Sequence, residues 1–215
     1  MRQAKINDKW ELKLPDHRAD FHEARPSWEA PRLADMYDRL ESGQILFDIG
    51  AEQGDLTALY ASWGLEMTIV EPQPAYWPFI RETFEANNLT WLDIHIGFAS
   101  DRRIDRPAPE IPEEGIADFG FMVMTQHECP ERRIDDMLYT PDALMIDVEG
   151  AELRVLKGAR ETLETHHPTV WVSVHPAFMR DEYGDNAVDL LVFMRELGYT
   201  ATFLDDDHEE DWRFD

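Results

Sequence analysis

The sequence predicts an α/β fold, a doubly wound and mostly parallel sheet with helices on both faces, and three observations carry that prediction. Short apolar runs end in glycine or in an acidic residue, as buried parallel strands do. Stretches with a helical apolar period separate those runs, in the order strand, helix, strand, helix, strand. The joints are short, which sets successive strands side by side through right-handed crossovers.

Taken in order, the first thirty residues are polar, with Pro15, Pro26 and nearby Pro31 and scattered aromatics (Trp10, Phe21, Trp28); they read as an arm or lid. Leu33, Met36, Tyr37 and Leu40 fall at helical spacing and predict a helix over 30–40, closed by Gly43. Residues 45–50 are a buried strand stopped by Gly50. Leu56, Leu59, Tyr60 and Trp63 share one face of a helix over 55–63. Met67–Val70 is the second strand, stopped by Glu71 and Pro72. A helix follows over 75–87, with Pro78 tolerated in its first turn, and then a third strand over 92–97. Residues 101–115 read as an exposed loop and Phe119–Met124 as an inserted strand. The alternation resumes with a strand over 143–146, a helix over 151–165 broken or bent near Gly158, and a strand over 169–174. A helix over 186–197 and a strand over 200–204 complete it, and the acidic stretch from Asp205 to Asp211 reads as a frayed tail.

With 215 residues, 43% of them hydrophobic, the chain has enough apolar surface for one sizeable core. Its formal charge of -25 repels phosphates and anionic lipid, so neither nucleic acid nor a membrane surface is an expected partner. No apolar run approaches the ~20 residues of a spanning helix. The start lacks the apolar core of a signal peptide, and the single Cys129 has no internal disulfide partner. Both features lead to the expectation of a cytoplasmic protein.

The cofactor chemistry is read from residues 47–55, Phe-Asp-Ile-Gly-Ala-Glu-Gln-Gly-Asp, a strand, a glycine turn and a helix start. Gly50 permits a sharp turn and a ligand against bare backbone, and Gly54 lets the next helix begin close to the sheet. In an open α/β sheet the ligand crevice lies at the carboxyl ends of the strands, where this turn falls. A dinucleotide needs its pyrophosphate on a helix N-terminus, usually with a third glycine. The acids Asp48, Glu52 and Asp55 would repel it. S-adenosylmethionine (SAM) carries a sulfonium and an ammonium and no phosphate, so the same acids favour it. Glu71, at the end of the second strand, offers two acceptor oxygens to the two hydroxyls of a ribose.

Residues 144–159, LMIDVEGAELRVLKGA, put Asp147 and Glu149 at the end of the fourth strand. This run closely resembles the signature of the FkbM-type methyltransferases, mainly SAM-dependent O-methyltransferases of sugar and polyketide-like hydroxyls. The resemblance continues through FDIGAEQGD, VEPQPAYWPFI, Asn87-Asn88, Ala99 and Ile134-Asp135-Asp136, and covers roughly residues 44–204. It implies a Rossmann-like seven-stranded methyltransferase domain over 44–215, joined to an N-terminal arm and helix over 1–43 in one globular unit. It also implies a SAM site at Asp48, Gly50, Ala51, Gly54, Glu71 and Pro72, with the backbone of Gly97, Phe98 and Ala99 against the adenine and Asp147 near the reacting centre. Three positions depart from the family pattern: Met145 and Ser173 where lysine and glutamate are common, and Glu52 where asparagine is common. These departures bear on acceptor and catalysis more than on fold.

Methyl transfer is an in-line displacement, and an alcohol acceptor must lose its proton to a base. Asp147 and His175 are the candidates, since strands four and five bring their carboxyl ends to one crevice. His175 has the more suitable unperturbed pKa, near 6.5. Each has a structural alternative: a hydrogen bond at a strand end for His175, and a helix N-cap ahead of Ala151 for Asp147. Glu149 is a third catalytic candidate, as a cap, a substrate contact or, with Asp147 and His175, a ligand of a divalent metal. No spacing rule demands a metal, and none is assigned. His127 and Cys129 lack neighbours for a zinc site. Met122, Met124 and Met194 read as packing residues, and His166-His167 as a helix end.

The expected function is O-methylation of a hydroxyl on a saccharide or related small-molecule acceptor. An acidic binding protein on an inactive scaffold and a dinucleotide-dependent oxidoreductase are the alternatives. Acceptor specificity is expected in the arm and residues 101–135, since specificity lives in loops on a shared scaffold. The aromatic arm is a candidate surface for a second copy of the chain.

Overall fold

A computed structural model of the chain describes residues 1–117, 128–206 and 209–215. The strand expected at Phe119–Met124, with Met122 and Met124, and His127 lie outside them. The chain opens with β1 (Arg2–Ile6) and β2 (Trp10–Leu14), then α1 (Asp16–Ala24) and α2 (Ala30–Arg39). The repeating core follows: β3 (Ile45–Ile49), α3 (Asp55–Ser62), β4 (Glu66–Val70), α4 (Trp77–Ala86) and β5 (Asp93–His95). Two short strands, β6 (Phe98–Ala99) and β7 (Glu131–Arg132), pair with each other. The remainder is β8 (Ala143–Ile146), α5 (Glu152–Gly158), α6 (Arg160–His166), β9 (Thr169–Val174), the short α7 (Pro176–Phe178), α8 (Ala187–Glu196), β10 (Ala201–Asp205) and β11 (Glu210–Phe214).

The central sheet has seven strands in the order β10-β11-β9-β8-β3-β4-β5. The five from β9 to β5 are parallel, and β11 runs antiparallel to both neighbours. The period-two alternation of each central strand feeds two cores. Leu46, Met67, Ile69, Met145 and Trp171 face α2, α3, α4 and the N-terminal hairpin. Phe47, Ile49, Leu144, Ile146, Val170 and Val172 face α5, α6 and α8. The sheet is thus covered on both faces, which is why its strands read as nearly continuous apolar runs.

Two expectations need correction. The N-terminal arm is a folded hairpin and helix whose Ala4, Ile6, Leu12, Leu14 and Ala19 are buried in the first core. Trp10 packs at a tilt against Tyr37 and Trp63 of its own chain. The polar stretch that read as an arm or lid begins as a two-stranded ribbon with one face inward. The stretch expected to be frayed, 205–211, runs at its end into β11, a strand inserted between β10 and β9 with Phe214 fully buried. Its acids hid the apolar alternation of Trp212 and Phe214. The bend near Gly158 is a break into α5 and α6, where a Cβ on Gly158 would stand 1.9 Å from the carbonyl oxygen of Ser100. No described helix is long and apolar enough to cross a membrane.

Candidate active site

The strand ends of β3, β4, β8 and β9 open on one side of the sheet, and the residues singled out by sequence collect there. The turn after β3 is held by Gly50 N and Ala51 N, which donate to Val70 O at 2.8 and 3.3 Å. Gly50 has φ +92°, and a Cβ there would lie 1.8 Å from the carbonyl oxygen of Asp147. The glycine turn after β3 and the main chain at Asp147, just past β8, are therefore in close backbone contact, and only glycine fits between them. At Gly54 an added Cβ would meet Ile80 at 2.7 Å, so the glycine lets the start of α3 approach α4.

Glu71, at the end of β4, is buried and its two oxygens hold the turn: Glu52 N donates at 2.9 Å and Gln73 N at 2.6 Å. Burial pushes its pKa up to about 8, against the two backbone donors, and the charges of Glu52 and Asp48 add to the rise. Asp48 accepts from Thr57 Oγ1 at 2.5 Å, and burial raises it to about 6. The three acids around the glycine turn do not act alike. Asp55 is tied to Arg18 at 2.7 Å and to His22, both from α1, and these partners outweigh burial and hold it below the usual carboxylate range. Glu52 lies 3.4 Å from Arg18. The N-terminal helix thus neutralises part of the charge that the sequence assigns to the crevice.

Pro72 follows Glu71, and its carbonyl lies 3.6 Å from the sulfur of buried Cys129. Phe98 and Ala99 form β6 just past β5, the strand beside β4, and Phe98 N donates to Pro130 O at 2.9 Å. Glu52 and Glu149 both adopt left-handed backbone, φ 49° and 53°, in the two loops that meet at the site. Such conformations cost free energy in non-glycine residues and gather at functional sites.

Asp147 and His175 meet as the sequence predicts, with His175 Nε2 3.7 Å from Asp147 Oδ1 and 3.7 Å from Glu149. Neither acid caps α5: the N-cap position is Ala151, and Glu152 takes the amide of Gly150 at 2.8 Å instead. His175 does not keep the ordinary imidazole pKa. Its Nδ1 lies 2.8 Å from Glu152 and its Nε2 2.8 Å from Glu209. Burial lowers its pKa, but those two hydrogen bonds and the charges of Asp147 and Glu149 outweigh it and raise it to about 11. Both nitrogens of His175 are engaged by carboxylates, an environment that favours the imidazolium. For Asp147, burial and the charge of Glu209 push the carboxyl well above its ordinary value, against His175 and Arg32. Asp147, His175 and Glu209 bring one potential ligand atom each within 4.8 Å of one another, a grouping that ion pairing to the imidazolium accounts for.

Sequence reasoning missed Arg32, Glu152, Glu209 and Asp211. Arg32, on α2, is wholly buried. Its guanidinium contacts Glu29 and Ser173 Oγ, and lies 3.4 Å from the Met145 sulfur, 3.7 Å from Asp211 and 4.0 Å from Asp147 Oδ2. Ser173 in turn donates to Asp211 at 2.8 Å. Glu152 was legible in principle, lying in the same loop-to-helix run as Glu149. Arg32 had no local signal, since nothing near it in the chain is its partner except Glu29.

Comparison with known proteins follows the same lines. In fold the chain is similar to methyltransferase FkbM from Methylobacillus flagellatus KT, with TM-score 0.59 and 20% identity over 82% of this chain and 44% of that one. It thus spans less than half the length of that protein. It is also similar to precorrin-6y C5,15-methyltransferase from Geobacter metallireducens GS-15, with TM-score 0.50 and 14% identity over 86% of each chain. A ribosomal protein L11 methylase from Lactobacillus delbrueckii subsp. bulgaricus gives TM-score 0.57 and 7% identity over 86% of this chain and 76% of its own. No curated protein matches in sequence. The Rossmann-like methyltransferase fold is common to these neighbours. The model of the methyltransferase FkbM domain matches residues 48–201, from Asp48 through the Asp147 loop and His175 to the start of β10, and the chain belongs to that family.

Proposed function

We propose that the chain is a SAM-dependent O-methyltransferase acting on a hydroxyl of a saccharide or related small molecule. The observation that carries this reading is the close approach of Gly50 to the Asp147 carbonyl, which sets the glycine turn, with Asp48, Glu52 and Glu71 around it, beside the residue that ends the neighbouring strand. SAM bound along Asp48, Gly50, Ala51, Gly54, Glu71 and Pro72, with its adenine towards Phe98 and Ala99, would direct its methyl group to the Asp147 loop. The group supplies an electrophilic methyl on a sulfonium; the chain supplies orientation and a proton acceptor.

Asp147 is the acceptor of the hydroxyl proton on this reading, because both nitrogens of His175 are already engaged with Glu152 and Glu209. His175 then holds Asp147 and balances the negative charge around it. Glu149, exposed at the rim, is left to meet the acceptor. Each oxygen of Glu71 keeps a lone pair beyond its backbone donor, enough for a ribose hydroxyl.

Calorimetric titration with S-adenosylhomocysteine, beside Glu71→Ala, tests the reading. Binding weakened at least about tenfold by the substitution, about 1.4 kcal/mol, is the expected result. Folded wild-type protein that does not bind the ligand would leave only an inactive scaffold. Tight binding without turnover over a broad hydroxyl panel would point the same way.

A further inference from the structure

We propose that Arg32, supplied by α2 from outside the matched family domain, is a positioning residue of the reaction site. Its guanidinium stands 4.0 Å from Asp147 Oδ2, while Oδ1 faces His175 at 3.7 Å. Its role in a reaction rests on the methyltransferase reading; the pairing itself does not.

A guanidinium with no solvent exposure persists only where anions surround it, because an unpaired buried charge costs several kcal/mol. Arg32 has three such partners from three parts of the chain: Glu29 at the start of its own helix, Asp211 on β11 and Asp147 after β8. The strand residues directly beneath it, Met145 on β8 and Ser173 on β9, carry no charge. The positive charge at the floor of the site therefore arrives across the layer, from a helix, and its planar fork can engage more than one acid at once. Ser173 links the same guanidinium to Asp211, so α2, β9 and β11 are joined through one cation. The groups facing Asp147 are Arg32 from α2, Tyr60 from α3, Glu149 on its own loop, His175 at the end of β9 and Glu209 beside β11. Arg32 and His175 are the cations among them, and they address different oxygens.

The test is a titration of carbon-13-labelled aspartate in the full chain without cofactor, with the Asp147 carboxyl signal assigned by its loss in Asp147→Asn. Arg32→Met keeps the length of the side chain and removes the charge. The Asp147 midpoint is expected to rise by about one pH unit or more. Arg32→Met combined with Met145→Lys returns a cation to the point that the guanidinium reaches, and is expected to restore the wild-type midpoint. An arginine that serves structure alone would lower stability on removal and leave the Asp147 midpoint of the folded variant unmoved; that result overturns the proposal. Should Arg32→Met fail to fold, the double variant decides: folded with the wild-type midpoint supports the proposal, unfolded or displaced overturns it. The S-adenosylhomocysteine titration of the wild type is read separately, so loss of the methyltransferase reading leaves the pairing result standing.

Discussion

A Cβ at Gly50 would meet the Asp147 carbonyl oxygen at 1.8 Å, and its φ of +92° is one that side chains rarely adopt; Gly43, with φ +90°, has open space around it. The pair separates two costs of the same substitution. Gly43→Ala is expected to lose only the left-handed backbone cost, about 1–2 kcal/mol. Gly50→Ala adds overpacking between β3 and β8, for a total of about 2–5 kcal/mol. Urea unfolding of both variants measures the difference, and equal losses would contradict the contact. His175 teaches a related lesson at the same scale. Its type and strand-end position were legible, but its charge state belongs to Glu152 and Glu209, 23 and 34 residues away.

Among the elements, strands bounded by glycine or acids were read correctly because their whole signal is local. The strand over 143–146 reappears with the same bounds, and the helix over 30–40 and the strand over 45–50 with bounds shifted by one residue. β11 was missed because Glu209, Glu210 and Asp211 look like solvated tail until their partners are present. Asp211 is buried against Arg32 and Ser173, and Phe214 is fully buried in the second core. Phe214→Ala is accordingly expected to cost about 3–5 kcal/mol, as for a large core side chain. A loss below about 1 kcal/mol in denaturant unfolding would return the segment to the status of a frayed end. The hairpin of β1 and β2 escaped notice for a similar reason: half of each strand is polar and only its packing on α1, α3 and α4 defines an inside.

On the scale of the whole molecule, the buried acids set the pH dependence. Asp55 is held below its ordinary value, so its contribution is present above the unfolded pKa and fades as pH falls through the folded one. Asp48 and Glu71 are raised to about 6 and about 8 by burial, so the fold prefers them neutral. Their contribution is complete below the ordinary carboxylate range and is lost as pH rises through those two values. Cofactor-free protein is therefore expected to lose stability from about pH 5 to pH 8. Glu71→Gln should flatten the upper part of that decline. Urea midpoints across the range measure it, and a midpoint that climbs from pH 5 to 8 would contradict the buried-acid account. The sequence by itself determined the strand and helix alternation, the glycine turn and the carboxylates at strand ends, because apolar period and turn chemistry are encoded within a few neighbouring residues. Only the tertiary structure decided which of 45 acids are neutralised, by Arg18, Arg32 and His175, and that an N-terminal helix and a C-terminal strand complete the site. Charge pairing depends on distance in space, and the partners here are joined by folding, not by spacing along the chain.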